Sequence, residues 1–282
     1  MIKMKVVIIM SRALKITFIS LLMIVIIGVT SVFVLLMTGT INFDFFNTKV
    51  IYNENIDESF DKIKVSTTSL DVKLVKSSDE KVNVKIIDKE NDGVIVKVED
   101  NTLLIQNDTK KRFFLCFCKR EAIISLPEKE YDLIVKSTSG DITSEVNLTS
   151  AMIITTSGDI RLNNVGDFKS VVTSGDIKAN DVHNANLLAT SGDIRIDRID
   201  ESVEIGTTSG DIKINELTIK KDSHITATSG DVTINKSSSN IYYNTEVTSG
   251  NVKIDNNNRL AEFELKIETK SGDIRVKEIV TN

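Results

Sequence analysis

Tryptophan is absent from the 282 residues, proline occurs once, and aromatic residues make up 5% of the chain. That scarcity argues against sugar binding by stacked aromatic platforms. It suits a regular β-stack, which proline would interrupt. Cysteine is almost as rare: Cys116 and Cys118 flank Phe117, and there are no others. Two residues apart on a strand, both thiols face one side, and a bond between them would be strained because bridging needs particular Cα and Cβ geometry. Buried or half-buried thiols in a capping strand are the expectation, with a redox or metal role or an intermolecular bridge as the other readings. A metal site would need further ligands. The two histidines, His183 and His224, are far apart in the chain and read as outer-face polar residues. A basic excess is missing as well. The formal net charge is −5, which argues against nucleic acid, a partner that needs a basic patch.

What the chain has in abundance is one motif. Thr-Ser-Gly-Asp-Ile or a near copy occurs eight times, with its glycine at Gly140, Gly158, Gly175, Gly192, Gly210, Gly230, Gly250 and Gly272. The glycines are 18, 17, 17, 18, 20, 20 and 22 residues apart. A period near 18 signals stacked supersecondary units. Within one unit Gly192 supplies the positive φ of a sharp corner. Ile194 and Ile196 then point one way, and Asp193, Arg195 and Asp197 the other. That alternation is a half-buried strand. Val203 and Ile205 make a second strand before the next corner. β-branched residues dominate and a turn interrupts every unit, so no helix fits. No unit can bury its apolar face alone, and stacking gives a β-solenoid in which chain order makes Gly272 the last coil.

Stacking turns equivalent residues into columns. One reads Asp141, Asp159, Asp176, Asp193, Asp211, Asp231, Asn251 and Asp273; two residues on, Thr143, Arg161, Lys178, Arg195, Lys213, Thr233, Lys253 and Arg275 share its outer face. Bare carboxylates about 5 Å apart repel by roughly 1 kcal/mol per neighbour, and the basic column offsets this. A third column, Asn163, Asn180, Asp197, Asn215, Asn235 and Asp255, falls where the strand ends, and its amides can bond one another along the stack.

Residues 16–37 carry no charge, and as a helix they would span about 33 Å, enough to cross a bilayer. Lys3, Lys5, Arg12 and Lys15 precede them, which places 1–15 in the cytoplasm and the remainder outside. Removing those four cations from the formal −5 leaves −9 for the exported part. The run exceeds the apolar region of a cleaved signal peptide and no small-x-small site follows it, so an uncleaved signal anchor is expected. Residues 38–60 read as a stalk. Residues 61–137 read as an N-terminal β region that starts and caps the stack, with short apolar runs at 63–65, 70–75, 82–87, 94–98, 103–105, 122–126 and 133–135. Thr68-Ser69-Leu70-Asp71-Val72 is a decayed repeat with Leu70 in the glycine position. Residues 138–282 hold the solenoid repeats.

Motifs that carry chemistry are few. Calcium-binding β-rolls use two glycine-rich turns per coil; here each coil has one Gly-Asp, and Asn251 replaces Asp, so the Gly and Asp columns read as structural turns rather than metal ligands. Acids are spread evenly rather than clustered as a glycan-cleaving cleft requires. No nucleophile elbow, zinc-protease helix or P-loop motif occurs. The expectation is no enzyme, no cofactor and no metal.

The Thr-Ser-Gly-Asp-Ile array, the strands before it and Ile124-Ser125-Leu126-Pro127 resemble a bacterial family of unknown function labelled "putative adhesin", with Ser-Gly-Asp β-strand repeats. The likeness covers about residues 63–276. It implies a right-handed β-solenoid in bacterial envelope proteins, and some relatives are encoded beside envelope-stress regulators. It brings no catalytic residue to carry over. The expected function is a membrane-anchored, extracytoplasmic binding, adhesion or scaffolding module that meets a wall polymer or an envelope protein. The alternative is an accessory subunit of an envelope-stress sensor, and a cell-wall glycan enzyme ranks third. Oligomeric state is not legible.

Overall fold

The computed structural model describes residues 48–88, 93–107, 120–255 and 257–280. The apolar run 16–37 and Cys116 and Cys118 lie outside these residues. Every regular element described is a strand. Seven precede the repeats: β1 (Lys49–Ile56), β2 (Lys62–Thr67), β3 (Asp71–Lys76), β4 (Val82–Asp88), β5 (Val94–Glu99), β6 (Thr102–Asn107) and β7 (Glu121–Leu126). Next come β8 (Tyr131–Ser139), β9 (Ile142–Ser144), β10 (Leu148–Ser157), β11 (Ile160–Ser174), β12 (Ile177–Ser191) and β13 (Ile194–Ser209). The chain ends with β14 (Ile212–Leu217), β15 (Ser223–Ser229), β16 (Val232–Ser238), β17 (Ile241–Ser249), β18 (Val252–Ile254), β19 (Phe263–Ser271) and β20 (Ile274–Val280).

The strands form an all-β solenoid of the right-handed type, the sense that parallel-strand connections take. It has two hydrogen-bonded faces. The first runs β5, β6, β2, β8 and β10, continues through the second halves of β11, β12 and β13, and ends β15, β19, β17. The second runs β1, β4, β7, β3 and β9, continues through the first halves of β11, β12 and β13, and ends β14, β16, β20, β18. From β8 onward all pairings are parallel, and apart from register shifts at Leu148/Ser150 and Val182/Asn184 each residue stacks on its equivalent. The inward positions make the core. Ile142, Ile160, Ile177, Ile194, Ile212, Val232 and Ile274 form one buried column on the second face. Each such side chain contributes about 1.5–3 kcal/mol by leaving water.

Three features depart from the sequence reading. The stretch 38–60 is not all stalk: Lys49–Ile56 is strand β1, antiparallel to β4, because Ile51, Tyr52 and Ile56 pack against the core. No break separates 61–137 from 138–282 either, since β8 runs through that point and Thr48–Asn282 is one compact unit.

The third departure is the stacking order. The last repeat in sequence is not the last coil. β19 lies between β15 and β17, and β20 between β16 and β18. The chain passes over one coil position after β16, builds the terminal coil from β17 and β18, and returns through residues 255–262 to fill the space left. Packing explains the choice. β19 and β20 offer Leu265, Ile267, Ile274 and Val276, all at most 1% exposed, a set apolar enough to be covered on both sides. The terminal coil buries Ile241 and Tyr243, each 1% exposed, but its other inward positions, Thr245, Val247, Val252 and Ile254, stay partly or largely exposed at the open side.

Both ends of the stack are blunted against edge pairing. At the start, β5 and β1 lie antiparallel at the outer margins of the two faces. There Arg120 holds the buried Asp88 through two 2.6 Å bonds, and Lys73 meets the buried Glu121 at 2.6 Å. At the far end the Asn257 carboxamide accepts the Tyr243 N–H at 2.9 Å and donates to the Tyr243 carbonyl at 2.8 Å. It imitates a neighbouring strand along part of the β17 edge.

Candidate binding surface

In stack order the corner column is Leu70, Gly140, Gly158, Gly175, Gly192, Gly210, Gly230, Gly272 and Gly250. The eight glycines have φ between 124° and 152°, a region side chains rarely enter. Each also lies against the preceding coil: a Cβ on Gly192 would sit 2.1 Å from the Gly175 carbonyl oxygen. Leu70 is exempt because its φ is not positive.

The Asp column is a ladder. The Oδ1 of each Asp accepts the backbone N–H of the next residue in the column, from Asp71 to Asp141, Asp159, Asp176, Asp193, Asp211, Asp231, Asp273 and finally Asn251, at 2.8–3.0 Å throughout. The Oδ2 atoms face the basic column. Arg161 spans Asp159 at 2.6 Å and Asp141 at 3.7 Å, and Arg195 and Arg275 bridge two coils in the same way. The Asp273 N–H and the Arg275 guanidinium hold the Asp231 carboxyl below its ordinary range. Asn251 stands at the end of the stack, where no further N–H needs a carboxylate. Its amide therefore reflects position and says little about tolerance in the middle.

With each Oδ1 from Asp71 to Asp273 accepting an N–H, and the Oδ2 atoms of Asp141, Asp159, Asp176, Asp193, Asp231 and Asp273 near an arginine, the geometry suits a structural ladder. Among the described residues no group of three or more His, Cys, Asp or Glu is placed to hold a metal ion. Asp193→Ala should cost roughly 0.5–1.5 kcal/mol for the lost bond. Asp193→Asn should cost less, because the amide oxygen still accepts. Melting curves in chelator and in millimolar calcium should coincide. A calcium-dependent rise that disappears when Asp176, Asp193 and Asp211 become Asn would overturn this assignment, since a cation bound only by the folded state must stabilise it.

The third column bonds along the stack as well. Asn180 donates to Asn163 at 3.2 Å, Asn215 to Asp197 at 2.7 Å and Asn235 to Asn215 at 2.7 Å. Lys277 then intervenes before Asp255, a consequence of the altered coil order. Near this second edge His183 meets Asp200 at 2.6 Å and Arg198 meets Asp181 at 2.6 Å, lining a groove of about 380 Å³. A neighbouring groove of about 670 Å³ is bordered by Asp167, Lys169, Asn186, Glu204 and Lys221. His224 is half-buried between Glu268 at 3.3 Å and Glu204 at 3.7 Å. Neither histidine has a cysteine, serine or second histidine beside it among the described contacts, so both act as polar links between coils.

Two surfaces remain. On the second face Lys73, Thr143, Arg161, Lys178, Arg195, Lys213, Thr233, Arg275 and Lys253 stand in one line, one per coil. The arginines are tied to the Asp ladder, and Lys178, Lys213 and, in the terminal coil, Lys253 are its exposed lysines. On the first face Met152, Ile154, Val171 and Leu188 point outward, 43–54% exposed. Sequence reading missed this stripe because alternation assigns outward positions to polar residues. The signal was present in the unbroken apolar runs Met152-Ile153-Ile154, Val171-Val172 and Leu187-Leu188.

A protein-family model described as Toastrack DUF4097 matches residues 60–282. The chain belongs to this family. Among solved structures it is similar to a "putative adhesin" from Bacteroides fragilis NCTC 9343, at 19% identity over 82% of this chain and 97% of that one, with a TM-score of 0.49. It is also similar to a "putative lipid binding protein" from Parabacteroides distasonis ATCC 8503, at 19% identity over 83% and 94%, with a TM-score of 0.42. No curated protein matches.

Proposed function

We propose that this chain is a non-enzymatic binding module of the cell envelope, held to the membrane by residues 16–37 and presenting its solenoid outside. The observation that carries the reading is the line of basic side chains on the second face. Coils repeat about every 4.8 Å, so the same side-chain position recurs at a fixed interval along the stack. A surface with one repeated interval recognises a partner that is itself repetitive, such as an anionic wall polymer, through many weak contacts. The Asp ladder beneath keeps the arginines in place, and Lys178 and Lys213 supply exposed charge.

The full chain, purified in a non-ionic detergent, should co-sediment with isolated cell walls and be released as salt rises, since screening weakens exposed pairs. Lys178→Gln with Lys213→Gln should reduce the bound fraction several-fold while the variant stays folded, with a lowered melting temperature because the two lysines offset the Asp column. Absence of wall binding, together with capture of a membrane signalling protein, would favour the sensor-subunit reading instead. Topology has its own check. Protease added to intact cells should remove a tag at Asn282 and leave the N-terminus intact; a tag that resists until lysis would refute the outward orientation.

A further inference from the structure

We propose that two copies of this chain pair through the first face, with their coil stacks antiparallel. The exposed apolar stripe supplies the centre. Ile154, Val171 and Leu188 occupy one outward column in three successive coils. Met152 lies beside them in the next column, and Ile134 precedes it there. The stripe continues flat: a Cβ on Gly206 would lie 3.1 Å from the Leu188 Cδ1, so Leu188 leans over the glycine of the following coil. A contiguous outward apolar strip of this kind marks an interaction surface.

Charge identifies the occupant. Toward the start of the stack these two outward columns carry Lys64, Lys136 and Lys169 and no acid from β2 to the Lys169 coil. Toward the far end they carry Glu204, Glu268 and Glu246, with Lys266 bound to Glu268. The Lys266 ammonium holds the Glu268 carboxyl below its ordinary range, so that acid stays ionised. A parallel pair would set lysine against lysine and glutamate against glutamate. An antiparallel pair sets the basic stretch of these two columns in each copy over their acidic stretch in the other, with the apolar strips in contact and Asp132 and Asp167 one column aside. A surface complementary to itself under a two-fold axis defines an isologous dimer, and matched potentials fix its orientation. This pairing uses the face opposite the basic line and is independent of what that line binds.

Native mass spectrometry of the full chain in non-ionic detergent should show a dimer that weakens with salt. Leu188→Lys, an outward change, should raise the dissociation constant tenfold or more, as removal of a central apolar contact does. Lys136→Glu should weaken the dimer, and adding Glu204→Lys to it should restore the pairing, because the charges then match with signs exchanged. A monomeric parent would overturn the proposal. So would a dimer indifferent to Leu188→Lys, which would place the association elsewhere in the chain. A double variant as weak as Lys136→Glu alone would overturn the antiparallel arrangement.

Discussion

Gly192→Val and Gly272→Val should each destabilise the solenoid by roughly 3 kcal/mol or more, and Gly250→Val by clearly less. Two effects add at the first two sites. Their φ values of 126° and 152° lie where a β-branched residue is strained by about 1–3 kcal/mol. A Cβ would also stand 2.1 Å or less from the carbonyl oxygen of the preceding coil, and forcing that contact costs a further 1–3 kcal/mol or so. Neither strain can relax, because a coil lies on each side. The same clash awaits a side chain at Gly250, 2.0 Å from the Gly272 oxygen, but that coil is terminal. β18 is only three residues long and can move away from the stack. Thermal or denaturant unfolding of the three variants decides the matter. If Gly272→Val proved the mildest, the final repeat would be the end coil after all, and the inserted order would be wrong.

Ile274→Ala should cost about 2–5 kcal/mol, the usual range for emptying a core position, whereas Val252→Ala should cost less than about 1 kcal/mol. The two residues hold the same place in their repeats and stack directly on each other. They differ in surroundings: Ile274 is fully buried between Val232 and Val252, and Val252 is 45% exposed at the open end. A chain-order stack predicts the opposite ranking, since Ile274 would then face solvent on one side. Urea midpoints at unchanged slope measure the difference directly. Equal losses, or a larger loss at Val252, would contradict the order found here.

The elements themselves were readable one residue at a time. Period-two alternation located β2 to β8, from the run at 63–65 to that at 133–135, and missed only β1 among the strands before or entering the repeats. The Thr-Ser-Gly-Asp corner located the turns. The decayed copy at Leu70 does occupy the corner column, and the Asn column does bond along the stack. These features depend on local rules, such as which side chain points inward and which residue accepts a positive φ, and such rules act within a few residues.

The order of the coils could not be read in this way. Every repeat presents the same corner, nearly the same strand length and the same inward pattern, so each could pair in register with any other. Local sequence leaves that choice degenerate. It was settled by which apolar set gains most from being covered on both sides, a comparison between segments more than twenty residues apart, and by a return loop at 255–262 long enough to allow the insertion. The partners of each Asp carboxylate, the use of Asn257 as a strand edge and the merging of Met152, Ile154, Val171 and Leu188 into one strip follow from that stacking. The sequence by itself determined that the chain builds two-faced coils with glycine corners and an Asp ladder. The tertiary structure alone decided which coil lies on which, because stacking energy is a property of pairs of coils and no single repeat contains it.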